Sequence, residues 1–366
     1  MPRTSHWFLR GLRHVDGILL VLVLLVLGIS LAVVTSASGQ STARISGHLV
    51  NMALALGVMV MMANVPPHLL SKVGPPLYVA GVVLLIGVAL FGEIRNGARR
   101  WLDLGFMAFQ PSELLKLALP LMLAWYFQRN EAVLRARHFL VGGALLLVPF
   151  LLILRQPDLG TALMLGASGF YLLFFAGLPW KVILGGATLG AASLPVVWGL
   201  MHDYQQRRVL TLLDPSSDPL GAGYHIIQSM IAIGSGGLFG KGWMQGTQNQ
   251  LDFIPERTTD FIYAVFGEEF GYAGEIVLVA LYLAIVARGL VIAARAPTLF
   301  GRLMAATVSL NLFTYVFVNM GMVSGILPVV GVPLPLMSYG GTALVTLLLG
   351  MGILMSVATH RQLNKS

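Results

Sequence analysis

The chain has no cysteine in 366 residues, which excludes disulfide frameworks, thiolate zinc sites and cysteine nucleophiles. Charge is scarce as well, at 10% of residues against about 25% in soluble proteins. Acidic side chains are the scarcer kind, with 15 Asp and Glu against 23 Lys and Arg. The eight histidines show neither HxxxH nor HExxH spacing, so no histidine metal site is expected. What the chain has in excess is apolar surface: 57% hydrophobic residues and a mean hydropathy of +0.81. Such a chain needs a bilayer as solvent. A soluble enzyme, a disordered tail and a secreted disulfide scaffold are excluded. The net charge of +8 is carried by basic residues placed singly or in pairs between apolar runs. No basic face forms, so nucleic acid is not an expected partner.

Crossing about 30 Å of hydrocarbon takes roughly 20 apolar residues per helix. Apolar runs fall at Gly17–Thr35, Leu49–Val65, Pro76–Phe91, Pro111–Phe127, Phe139–Leu154, Thr161–Ala176, Val182–Met201, Phe261–Arg288, Leu303–Val323 and Thr342–Ala358. The expected fold class is an all-α integral membrane protein with ten transmembrane helices, one polytopic domain over residues 1–366. The first run is too long for a signal-peptide core and is followed by nine more, so it reads as a retained helix. With the N-terminus inside, cytoplasmic segments carry Arg3, Arg10, Arg13, Lys72, Arg129, Arg135, Arg137, Lys181, Arg288, Arg295, Arg302, Arg361 and Lys365. Only Asp16 and Glu131 oppose them there. The positive-inside rule therefore places both termini in the cytoplasm. The long polar segment 202–259, between the seventh and eighth spans, is then extracytoplasmic.

Gly234-Ser-Gly-Gly-Leu-Phe-Gly-Lys-Gly242 imitates a phosphate loop. Ser235 and Gly242 stand where a Walker motif needs Gly and Ser or Thr, and Phe239 breaks the dinucleotide pattern. Neither reading holds outside a strand–loop–helix unit.

Most acids fall on the outer side: Glu93, Asp103, Glu113, Asp158, Asp203, Asp214, Asp218, Asp252, Glu256 and Asp260. Ionisable groups at or inside spans are costly and mark function by default. Asp260 opens the eighth span. On a continuous helix it would head a stripe of Ala264, Gly267, Gly271 and Gly274, at 100° per residue. That stripe is either a groove beneath a catalytic acid or a small-residue packing seam beneath an N-cap. Lys116, one turn into the fourth span, is either a snorkelling lysine paired with Glu113 or a cation for a diphosphate. Trp101 is an interfacial belt residue or a platform for a sugar. Asp158 caps the sixth span, and its outer position keeps it a candidate for the same site.

Trp101-Leu-Asp-Leu-Gly105, Gln110-Pro-Ser-Glu113, Gln156-Pro-Asp-Leu-Gly160 and Pro255-Glu-Arg-Thr-Thr-Asp-Phe-Ile262 resemble the SEDS family (shape, elongation, division and sporulation). Leu327-Pro-Val-Val-Gly-Val-Pro-Leu-Pro335 and Ser338-Tyr-Gly-Gly341 extend the resemblance over essentially the whole chain, in order. Asn319-Met-Gly-Met-Val-Ser-Gly325 and Leu213-Asp-Pro-Ser-Ser-Asp-Pro-Leu-Gly221 are similar to its elongation branch rather than its division branch. Thr258 stands where the family usually has histidine, a neighbour change that leaves Asp260 in place.

The resemblance implies the SEDS fold and a peptidoglycan glycosyltransferase of the bacterial inner membrane, with its active site facing the periplasm. Such enzymes polymerise lipid II into β-1,4 glycan and release undecaprenyl diphosphate. Their partners are a class B penicillin-binding protein, a transpeptidase, and other elongation-complex proteins. Asp260 matches the family's essential aspartate and Trp101 its functional tryptophan. Changing an α-linked glycosyl diphosphate into a β-linked glycan is an inversion, which calls for a general base, here Asp260. Lys116, Arg99, Arg100 and Arg257 are candidates to neutralise the diphosphate. Glu113, Asp158, Glu256 and Ser338 complete the expected substrate site. A divalent cation, magnesium or manganese, is an open cofactor candidate that would bind mainly through the diphosphate, with no protein ligands assigned. The rival reading is a lipid II flippase, which should need polar groups along a path through the bilayer. The clustering of acids at one face favours a one-sided enzyme. A scaffold that only recruits the transpeptidase leaves that cluster without a role.

Overall fold

The computed structural model describes residues 14–95, 98–103, 108–156, 158–201, 203–218 and 221–360, and follows the backbone alone through 93–95, 98–103 and 108–109 and at 200, 203, 204, 208 and 222. Each of the ten apolar runs is a helix: α1 (Gly17–Ala37), α2 (Thr42–Ala63), α3 (Pro67–Phe91), α4 (Pro111–Arg129), α5 (Ala136–Arg155), α6 (Leu159–Phe175), α7 (Trp180–Leu200), α11 (Ile262–Arg295), α12 (Leu299–Val323) and α13 (Gly341–Thr359). Eight of these are long and apolar enough to cross a membrane. The other two are α6, with 17 residues, and α4, which carries Glu113, Lys116 and Arg129. Helix α4 is largely buried among its neighbours, whereas α6 buries one face and exposes Leu163, Phe170, Phe174 and Phe175 on the other. The helical reading has one small addition, three short antiparallel strands before α4. In these, β1 (Glu93–Arg95) pairs with β2 (Ala98–Asp103), and β2 with β3 (Ala108–Phe109).

Helices α4, α11, α12 and α13 supply most of the buried side chains, because they are covered by protein on several sides. Backbones approach where glycine permits it: a Cβ on Gly352 of α13 would lie 2.4 Å from the Met59 carbonyl oxygen of α2. Such close approach suits helices that gain from dispersion rather than from hydrophobic exclusion. Outer helices expose long apolar side chains, as Leu184, Leu189 and Leu194 do on α7.

The segment between α7 and α11 is folded, with α8 (Asp203–Leu213), α9 (Ala222–Ser235) and α10 (Thr247–Gln250). Its glycine-rich stretch packs against a break in α11 at Gly271, which has φ 65° and ψ −172°. Backbone groups across the break are satisfied by that stretch: Tyr272 N donates to Gly237 O (2.9 Å) and Ala273 N to Leu238 O (3.0 Å), while Lys241 N donates to Glu268 O (3.0 Å). Re-satisfaction of this kind is what allows a helix to break at membrane depth. The break interrupts the stripe expected from Asp260 through Gly274, since that stripe assumed one continuous helix. It also gives the 234–242 glycines a role in close packing instead of phosphate binding.

Only glycine tolerates the Gly271 backbone conformation, and an added Cβ would stand 2.2 Å from Gly240 N. Gly271→Ala is therefore expected to destabilise the protein by on the order of 3 kcal/mol. Thermal unfolding in detergent measures this, and an unchanged melting temperature would refute it.

Candidate active site

Asp260 lies in the turn before α11, and Phe261, not Asp260, occupies the N-cap position. The turn is held by its backbone. Tyr339 N donates to Thr258 O (2.8 Å), Ser338 Oγ to Thr259 O (2.6 Å), and Asn319 Nδ2 to Asp260 O (2.8 Å). Among the described residues, no donor reaches the Asp260 carboxylate. Burial, and second the nearby Glu256 carboxylate, push its pKa up to about 6. A partly buried carboxylate with no donor and a pKa close to neutral has the properties of a general base.

Beside it is a cavity of about 390 Å³ between α4, α6, α12 and α13. A Cβ on Gly331, which lines this cavity, would lie 3.5 Å from Asp260 Oδ2. The polar end of the cavity holds Gln110, Glu113, Lys116 and Asp158. Lys116 Nζ is 2.6 Å from Glu113 Oε1 and 5.7 Å from the centre of the Tyr315 ring. Asp158 caps α6 by accepting from Thr161 N at 3.1 Å, and its other oxygen accepts from Gln110 Nε2 at 3.3 Å. Asp158 thus caps α6 and at the same time lines the cavity. From Gly160 to Ser168 the wall descends about 12 Å at 1.5 Å per residue and becomes mainly apolar.

The remaining candidates are placed differently. Arg257 is tied by its guanidinium to Asp252 and to the Asn249 carbonyl, so it braces the loop before the Asp260 turn. Glu256 accepts from Thr259 Oγ1 at 2.9 Å and sits within electrostatic reach of Asp260. Ser338 is buried, its hydroxyl joining Thr259 O to Leu334 N, so it positions the turn. The side chains of Arg99, Arg100 and Trp101 lie outside the described residues. Among the described residues, no three His, Asp or Glu side chains gather into a group able to hold a metal ion. Glu113 is taken by Lys116 and Asp158 by its cap, so the donors present do not make a metal site.

The family model described as cell cycle protein, FtsW/RodA/SpoVE, matches residues 16–363. The chain belongs to this family. It is 53% identical to the peptidoglycan glycosyltransferase MrdB of Escherichia coli K12 over 351 residues, 96% of this chain and 95% of the relative. The probable peptidoglycan glycosyltransferase FtsW of Geobacter metallireducens is 39% identical over 76% of this chain and 74% of its own length. Among solved structures, the rod shape determining protein RodA of Thermus thermophilus superposes with a TM-score of 0.72 at 30% identity, covering 95% of this chain and 98% of that one. A chain from a peptidoglycan synthase complex, described as coordinating polymerization and crosslinking, gives a TM-score of 0.80 at 33% identity over 94% and 97%. The fold is thus that of the FtsW/RodA/SpoVE proteins.

Sequence reasoning missed two sets of residues. Glu268 and Glu269 are almost fully buried in α11. Glu268 binds Lys241 Nζ at 2.7 Å and Gln248 N at 2.9 Å, and Glu269 accepts from Ser36. They anchor the 236–250 segment to the broken helix. Acids inside an apolar run were the available signal. The other set is Asn319 with the loop it holds, for which the available signs were a polar amide inside the ninth span, which also carries Asn311, and its place at the head of the 319–325 motif.

Proposed function

We propose that this protein is a peptidoglycan glycosyltransferase that polymerises lipid II, with Asp260 as general base. The observation that carries the assignment is the Asp260 carboxylate, which meets no donor among the described residues, beside a cavity whose polar mouth holds Lys116 with Glu113 and Asp158 and whose floor is mainly apolar. The similarity to MrdB over 96% of the chain supports the reaction class. In the reaction, the acceptor's 4-hydroxyl attacks C1 of the donor sugar from the face opposite the diphosphate. Asp260 takes the hydroxyl proton as the C1–O bond forms and the bond to the diphosphate oxygen breaks. One displacement inverts the anomeric centre, as an α-linked donor giving a β-linked product requires. Lys116 faces the negative charge that develops on the leaving diphosphate. The polyprenyl chain runs down the apolar part of the cavity and out between helices into lipid. A divalent cation would arrive on the diphosphate, and no step is assigned to it.

The protein is an integral membrane protein of the bacterial inner membrane, with both termini in the cytoplasm and the 202–259 segment on the periplasmic side. The distribution of Lys and Arg supports this topology. Its partner is a class B penicillin-binding protein, supported by likeness to a chain that works in a synthase complex. Its role is in elongation, as its greater identity to MrdB than to FtsW suggests. The flippase reading keeps one specific observation, the polar pair Asn311 Nδ2 to Ser168 Oγ (3.0 Å) deep in the cavity.

Purified protein, with and without the class B partner, should convert labelled lipid II into glycan ladders resolved by size. The base must be ionised, so activity should fall as pH drops through about 6 and level off above it. A ladder missing at every pH, even with the partner present, would remove the polymerase reading and return the flippase to the front.

A further inference from the structure

Asn319 is fully buried near the end of α12. Its Nδ2 donates to two carbonyls from separate segments, Asp260 O at 2.8 Å and Val332 O at 2.7 Å. Both neighbours are acceptors, so the amide nitrogen must face them. Val332 lines the cavity. One NH2 group therefore sets the distance between the Asp260 turn and the cavity wall. Its Oδ1 finds no partner, a penalty that an apolar side chain of similar size would avoid. An amide stands at this position although packing alone would favour leucine.

The loop that Asn319 grips is itself held rigid. Tyr282 Oη donates to Pro335 O at 2.5 Å and Ser30 Oγ to Met337 O at 2.8 Å. His48 Nε2 lies 2.9 Å from Ser30 Oγ; since the serine proton goes to Met337 O, the histidine donates. Between these two grips Leu336 adopts φ 62°, a left-handed conformation that a bulky residue holds only when its surroundings impose it. The same loop sends Ser338 Oγ and Tyr339 N to the carbonyls of Thr259 and Thr258. All three carbonyls of the turn 258–260 are thus fixed from outside it, and among the described residues Asn319 is the side chain that joins the turn directly to Val332 in the cavity wall.

We propose that Asn319 is a positioning residue for Asp260, acting by clamping the base turn and the Val332 cavity wall with a single amide. This rests on the reading of Asp260 as the general base. No other side chain does the same work. Leucine and aspartate lack the NH2, and glutamine carries it one methylene too far.

The test uses the full-length protein and labelled lipid II, comparing wild type, Asp260→Asn, Asn319→Leu and Asn319→Gln. A displacement of about 1 Å at a reacting group lowers rate by about 100-fold. Asn319→Leu should therefore lose about 100-fold in kcat per folded molecule with KM unchanged, and the acid limb of its pH–rate profile should move. Asn319→Gln, which keeps the amide but displaces it by one methylene, should fall between it and wild type. A merely structural role would lower the melting temperature and yield of Asn319→Leu but leave kcat, pH profile and the glutamine variant at wild-type values. That result overturns the inference. Should Asn319→Leu fail to fold, wild-type kcat in Asn319→Gln overturns it alone. The functional reading fails separately, by absence of a ladder from wild type or by full activity of Asp260→Asn.

Discussion

Asp260→Asn should lower glycan formation by about 10²–10⁴-fold, the usual contribution of a general base, while the protein stays folded. The turn that carries Asp260 is held by carbonyl groups at 258, 259 and 260, which the substitution does not touch. Its carboxylate gives up no hydrogen bond among the described residues. The folded state raises its pKa from 3.8 to about 6, so the ionised form costs folding free energy at neutral pH. A neutral amide removes that cost, and Asp260→Asn should gain on the order of 1–3 kcal/mol at pH 7. The sign follows from linkage. A carboxylate whose pKa is raised on folding destabilises the native state above that pKa, and the penalty fades as pH falls toward 4. The signature is an inactive protein with a melting temperature equal to or above wild type at pH 7, the gain vanishing in acid. Parallel melting curves and glycan ladders measure both halves. Normal turnover by well-folded Asp260→Asn would end the assignment.

Lys116→Met should lower kcat/KM by about 10²–10³-fold, the effect of removing one group that stabilises developing negative charge. It also leaves Glu113 without its 2.6 Å partner at the mouth of the cavity. Breaking a fully buried pair costs about 3–5 kcal/mol. Here both side chains retain some exposure, 18% and 23%, so roughly 1–3 kcal/mol is expected. The double variant Glu113→Gln/Lys116→Met separates the two effects, since it removes the stranded carboxylate. Its melting temperature should return toward wild type while its activity stays low. Recovery of activity along with stability would make the pair a structural strut and send the search for a diphosphate-binding cation elsewhere.

The helices were legible because hydropathy is a local property. A run such as Leu303–Val323 has only one low-energy form in a bilayer, and the observed α12 extends it by one turn. Asp260 was legible as well, as an acid at the head of a span within a recognisable motif. The expected stripe below it was not sound, because the break at Gly271 depends on a partner segment about 30 residues upstream. Glu268 and Glu269 carried a readable signal, acids in an apolar run, whose role needed that same partner segment.

By itself the sequence determined the membrane as solvent, the position of the apolar helices, the family and a candidate base, Asp260. Only the tertiary structure decided which polar groups are free to react. Ser338 and Thr259 are 79 residues apart, and Ser30 and Met337 are 307 apart. Such pairings leave no periodic trace in either segment. They made Ser338 a brace and brought Asn319 to the back of the Asp260 turn. The physical reason is that burial follows from composition along a helix, whereas hydrogen-bond satisfaction depends on which distant carbonyl the packed bundle brings within 3 Å.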